Sequence, residues 1–229
     1  MKKLVLFLAA LAVLAAVPLR AADISVGATT WYSEWKFVDI DTPETIDPGF
    51  LYGPALAVKF NDDFNLNFVF LYGEYDASQP GMSYTYKRYD SDTSLGYRLN
   101  EYFKLFAGVK YNAYTTSVMG NDMTFQMYGP AAGLSAVFPL GYDFFILANG
   151  SGMYIIGKSS MTGSSDRDFK GYGYNTAASL AYYIAPASVT LSLGGRYQYF
   201  DLTPDTSNTD DTKMKFYGFT ASATYSFSI

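Results

Sequence analysis

Residues 103–117 read FKLFAGVKYNAYTTS. Phe103, Leu105, Ala107, Val109, Tyr111 and Ala113 take the odd positions. Lys104, Phe106, Gly108, Lys110, Asn112 and Tyr114 take the even ones. A period of two places successive side chains on opposite faces of an extended strand, so one face is apolar and the other wetter. Residues 217–229 repeat the pattern, with Tyr217, Phe219, Ala221, Ala223, Tyr225, Phe227 and Ile229 set against Gly218, Thr220, Ser222, Thr224, Ser226 and Ser228. Residues 189–199 repeat it again, with Thr190, Ser192, Gly194, Arg196 and Gln198 on the polar side.

Turn signals punctuate these segments at Asn61-Asp62-Asp63, Asn100-Glu101-Tyr102, Gly141-Tyr142-Asp143 and Pro186-Ala187-Ser188. Longer polar stretches lie between them, at 38–50, 77–83, 118–123, 159–170 and 203–212, so short and long connections are expected to alternate. Ten strands follow, near 24–37, 51–60, 64–76, 84–99, 103–117, 125–140, 144–158, 171–185, 189–202 and 213–229. A β-propeller has a similar period of about forty residues, but each blade needs four strands and these repeats hold two. A soluble sandwich alternates as well, but its strands usually run about 5–6 residues. A 15-residue strand is about 50 Å long, and even when tilted it crosses an apolar band about 25 Å tall. The expected fold is all-β: a closed up-and-down antiparallel transmembrane barrel of about ten strands.

The composition agrees. The 229 residues are 49% hydrophobic and include 22 Tyr and 18 Phe, yet the mean hydropathy is only +0.02. Apolar residues dispersed on one face of many strands produce that combination. The chain has neither Cys nor His, which excludes disulfides, thiolate metal sites and Ser-His-Asp or Asp-His catalysis. A net charge of −5 argues against a nucleic-acid partner. Lys2 and Lys3 precede an apolar run over 4–17, too short for a transmembrane helix, and small residues follow at Ala21 and Ala22. Residues 1–22 are therefore expected to be a cleaved secretory signal rather than a buried helix, leaving 23–229 as one barrel domain.

With these features the chain resembles the small outer-membrane β-barrel proteins of Gram-negative bacteria, of the OmpA and opacity-protein types. The alternating Tyr217, Phe219, Tyr225 and Phe227 of the last strand resemble the signal read by the barrel-assembly machinery. The resemblance implies residence in the outer membrane, lipid and lipopolysaccharide as surroundings, a monomer, short periplasmic turns and longer extracellular loops. No peptidoglycan-binding domain is expected after the last strand.

Parity assigns the faces. Phe64, Leu66, Phe68, Phe70, Leu105, Val109, Leu180, Tyr182, Leu191, Leu193 and Phe219 are expected to face lipid. Tyr52, Tyr72, Tyr97, Tyr111, Tyr172, Tyr174 and Tyr225 are expected to form two interfacial girdles. Lys59, Arg88, Asp90, Asp92, Arg98, Lys104, Lys110 and Arg196 are expected to point into the lumen. Equal counting from the turn at residue 101 sets Asp92 opposite Lys110 as a cross-strand ion pair, which Arg88, Arg196 and Asp90 could extend into a cluster.

Three functions compete. In the first, charged side chains plug a narrow lumen and the protein has a structural or cell-surface interaction role. In the second, the surplus of lumen cations makes a narrow porin-like, anion-preferring channel. The third is an enzyme. Ten strands invite comparison with the omptin surface proteases, but those imply an Asp-His arrangement that this sequence lacks. Asp90 and Asp92 are a poor acid–base pair, since surrounding cations favour ionisation of both. No catalytic, cofactor-binding or metal-binding residue is expected. Asp205, Asn208 and Asp210 offer hard oxygen ligands but lack the EF-hand glycine and terminal Glu. With Asp39, Asp41, Glu44 and Asp47 in the first loop, they read as a solvated acidic surface.

Overall fold

The computed structural model describes residues 22–38, 44–118, 120–205 and 211–229. The signal segment, apart from Ala22, lies outside these residues, as do Asp39, Asp41, Asn208 and Asp210. Ten long antiparallel strands form one sheet: β1 (Asp23–Val38), β3 (Gly49–Lys59), β4 (Phe64–Gln79), β5 (Met82–Arg98), β6 (Phe103–Val118), β7 (Asn121–Gly141), β8 (Phe144–Met161), β9 (Arg167–Ile184), β10 (Val189–Pro204) and β11 (Thr212–Ser228). Each pairs with its neighbour in sequence, and β1 closes the ring on β11 from Asp23↔Ser228 to Val38↔Lys213. One extra strand, β2 (Thr45–Ile46), adds two pairs to β4. Closure leaves the ten long strands with no unpaired edge, the condition for a sheet inside lipid.

Side-chain chemistry in the turns explains how the chain reverses. Asn61 Oδ1 accepts hydrogen bonds from the backbone N–H groups of Asp63 (2.9 Å) and Phe64 (2.8 Å). Asn100 Oδ1 does the same for Tyr102 and Phe103, both at 2.9 Å. These Asx turns satisfy two amides that the ladder leaves free. In the first of them, the Lys59 ammonium lies 2.9 Å from Asp62 and holds that carboxyl below its ordinary pKa.

At the opposite end, two expected loops are not loops. The ladder continues to Gln79↔Met82 and to Val118↔Asn121, so only two residues separate the paired strands. Polar stretches at 77–83 and 118–123 pair as readily as apolar ones where the strands run beyond the apolar band of the exterior. Gly81 (φ 83°) and Gly120 (φ 78°) supply the left-handed conformation that such tight turns need. β5 runs unbroken through 84–90, and a register shift falls between Pro139 and Gly141 in β7.

The exterior follows parity. Leu105, Val109, Leu180, Leu191, Leu193 and Phe219 are all exposed. Tyrosines cluster toward the loop end, where Tyr52, Tyr72 and Tyr89 lie in one register row, as do Tyr111 and Tyr128, and Tyr154 and Tyr172. Phe64, Tyr97, Phe144, Tyr182, Tyr225 and Phe227 mark the turn end. On β5 the two girdles are eight residues apart, from Tyr89 to Tyr97, or about 27 Å along the strand.

Candidate functional site

The interior has two unlike halves. Toward the loop end it is packed solid with Trp31, Trp35, Leu51, Leu71, Tyr75, Tyr114, Met127, Ile155, Phe169, Phe200, Leu202, Met214 and Phe216. Tyr114 on β6 stacks on Phe216 of β11, with ring centroids 6.0 Å apart and planes 7° apart. In the closed order of ten long strands, β6 and β11 face each other across the full diameter. Phe125 and Phe169 stack at 4.3 Å, and the Phe169 ring lies over Gly157, where a Cβ would meet it at 2.0 Å.

Beneath this packing lies a charge network at mid-height. Asp90 and Asp92 on β5 both receive the Lys110 ammonium of β6, at 2.9 and 2.7 Å. Asp92 and Lys110 are register partners. Arg88 donates to Asp90 at 2.7 Å, and its Nη2 also reaches Asn112 and, across the lumen on β10, Gln198. Arg196 on β10 returns the contact, meeting Asp92 at 3.1 Å and Asp90 at 3.7 Å, while its Nε donates to Asn175 at 2.7 Å. β5 and β10 are also diametrically opposite, so these bonds cross the barrel axis.

Arg88 is wholly buried, and its Nε and Nη1 have no hydrogen-bond partner among the described residues. Aromatic faces surround it instead: Phe216 lies 4.0 Å from the guanidinium carbon, Trp31 5.0 Å and Tyr114 5.5 Å. The Arg196 guanidinium also lies over Trp31, 4.5 Å from the ring centroid. Ring quadrupoles attract a desolvated cation, which complements the two carboxylates in holding the buried Arg88 and Lys110 and the partly buried Arg196.

Of the eight lumen residues expected from sequence, five meet in this network: Arg88, Asp90, Asp92, Lys110 and Arg196. Three do not. Lys59 bonds Asp62 and approaches Asp23 at the turn end, Arg98 is exposed there with its Nε on the Asn100 carbonyl, and Lys104 lines the chamber wall. The network includes three amides not expected from sequence, Asn112, Asn175 and Gln198. Two carried a signal, since Asn112 is two residues from Lys110 and Gln198 two from Arg196, on the same strand faces.

Below the network the lumen opens into a chamber toward the turn end. Three contiguous cavities of about 370, 570 and 640 Å³ share Asn67 and are lined mainly by Ser, Thr, Asn and Ala. Facing hydroxyls satisfy one another, as with Ser25 and Ser226 at 2.8 Å and Ser192 and Ser222 at 2.6 Å.

No family model matches the chain, and no curated protein matches its sequence. Solved structures do match. The translocator domain of the autotransporter NalP from Neisseria meningitidis superposes with a TM-score of 0.60 over 93% of this chain and 92% of that one, at 11% identity. The outer membrane protease OmpT from Escherichia coli superposes with a TM-score of 0.51 over 90% and 96%, at 14% identity. The fold is that of the Gram-negative outer-membrane β-barrels. At such identities the likeness extends to architecture alone, and the activities in those two names belong to those two proteins. An exterior of exposed leucines and phenylalanines is the one this architecture presents where lipid rather than water surrounds it.

Proposed function

We propose that this protein is an integral outer-membrane barrel whose lumen is closed at mid-height, with a structural or cell-surface interaction role rather than a transport role. One observation carries the reading: Arg88, Asp92, Arg196 and Gln198, from opposite walls of the barrel, bond to each other across its axis. An ion crossing the lumen must part these bonds and the Tyr114–Phe216 stack above them, exposing buried charge as it does so. An enzymatic role has little support, because the chain has no histidine and its two lumen carboxylates are committed to cations.

The remaining parts of the reading are consistent with this one. Residues 1–22 serve as the export signal, the Asx turns face the periplasm and the loop end faces outward. The barrel-assembly machinery inserts the chain, and lipid and lipopolysaccharide surround it as a monomer. Planar lipid bilayer recording tests the closure. Purified protein is expected to give no conductance steps above baseline. Stable unitary steps would overturn the closure and favour the narrow anion-preferring channel.

A further inference from the structure

Arg98 and Lys104 are register partners at the turn end, with their Cβ atoms on the lumen face of β5 and β6. Like charges directly opposite on neighbouring strands destabilise a sheet unless something neutralises them. Among the described residues, no carboxylate lies within ion-pair distance of either. Lys59, on the same rim, differs, because Asp62 and Asp23 neutralise it. Lys104 borders both the 370 Å³ and the 570 Å³ cavities, so its ammonium is set in the wall of an open chamber rather than in bulk water. Asn65 and Asn67 line the same two cavities, and their side-chain amides make no hydrogen bond to any described residue. The cavity therefore combines Lys104 with neutral amides that can donate without adding charge, with Arg98 on the exposed rim beside it, while the carboxylates in its wall, Asp23 and Asp92, already face Lys59 and Lys110.

We propose that the turn-end chamber is a binding site for a small oxyanion, of the phosphate-ester or carboxylate class, held by Lys104 and Arg98 and oriented by Asn65 and Asn67. The route of entry rests on the closed-lumen reading, under which the solute enters and leaves by the turn end; binding to the chamber wall itself requires no passage through the closure.

Inorganic pyrophosphate is a suitable probe, added to the refolded barrel in a detergent with uncharged headgroups and followed by backbone amide NMR. The expected result is saturable shifts confined to the amides around Lys104, Arg98, Asn65 and Asn67, weakened by sodium chloride, with sucrose producing none. Lys104→Gln should weaken binding about tenfold, the equivalent of one charged hydrogen bond. Lys36→Gln, at the other end of the barrel, should leave it unchanged. The wild-type map decides even if a variant refolds poorly. Shifts that fail to saturate, shifts spread evenly over exposed lysines such as Lys36 and Lys87, or an unchanged affinity in Lys104→Gln would each overturn the proposal. None of these outcomes bears on bilayer conductance, so failure here is distinct from failure of the closed-lumen reading.

Discussion

Asp90 is the residue on which the lumen depends most. It accepts from Arg88 and Lys110 and lies within 3.7 Å of Arg196, and it is fully buried. Asp90→Ala strands the wholly buried guanidinium of Arg88, the situation in which removing one partner of a buried pair costs about 3–5 kcal/mol. Asp92 is bonded to the same cations but its side chain is 38% exposed to the chamber, so water can replace it. Asp92→Ala should cost only about 1–2 kcal/mol. Urea titration of the refolded barrel measures both, and equal losses would mean that the network is hydrated throughout. The exposed ion pairs in the connections, one at each end of the barrel, behave differently with pH. Lys59 depresses Asp62, and Lys158 depresses Asp166. A depressed carboxyl contributes stability above its ordinary pKa and loses it as pH falls through the lower folded value. Both acids are exposed, so the expected effect is a shallow loss below about pH 4 and a flat response between pH 5 and 8 in the same titration.

The strand is the unit that sequence patterning describes well, because a period of two is a property of the backbone and needs no knowledge of the fold. The alternation in β6 is therefore visible in FKLFAGVKYNAYTTS, and it leads to a direct comparison. Leu105 is exposed on the outer face of β6, while Lys104 beside it faces the chamber. Leu105→Arg should cost roughly 2–4 kcal/mol if it sits near the membrane midplane, and Lys104→Leu far less. Equal losses in refolding from urea into lipid vesicles would invert the face assignment. Gly157 carries a second prediction at this scale. The Phe169 ring occupies the space over it, so Gly157→Leu must displace that ring from its stack on Phe125. Overpacking of this kind costs about 1–3 kcal/mol, and Gly152→Leu, where a Cβ meets nothing within 4 Å, should be close to neutral. Patterning fails where composition is taken for conformation. Residues 77–83 and 118–123 are polar enough to read as loops, yet they continue the ladder to two-residue turns because pairing beyond the membrane needs no apolar face.

At the scale of the whole molecule, register and circumference decide what meets inside. Asp92 opposite Lys110 can be counted from a single hairpin, but Arg88 meeting Gln198 requires knowing that β5 and β10 are half a barrel apart. That fact exists only once ten strands have closed, so the Arg88–Gln198 contact and the aromatic cage stay hidden in the one-dimensional pattern, whereas parity alone already places Arg196 among the lumen charges that cluster with Asp90. Closure also makes the interior asymmetric, solid toward the loops and hollow toward the turns. The absence of cysteine makes this asymmetry measurable, since one introduced thiol is the only one in the chain. Asn149→Cys places it on the chamber wall, and Met214→Cys places it in the packed half. With the turns facing the periplasm, a charged methanethiosulfonate reagent added to intact cells should modify neither. Admitted to the periplasm, it should modify Asn149→Cys rapidly and leave Met214→Cys unreacted until the barrel is unfolded. Labelling of Asn149→Cys from outside intact cells would mean either that the barrel is inserted the other way round or that the Arg88–Gln198 layer opens. Bilayer recording of the same variant separates the two, because only an opened layer passes current.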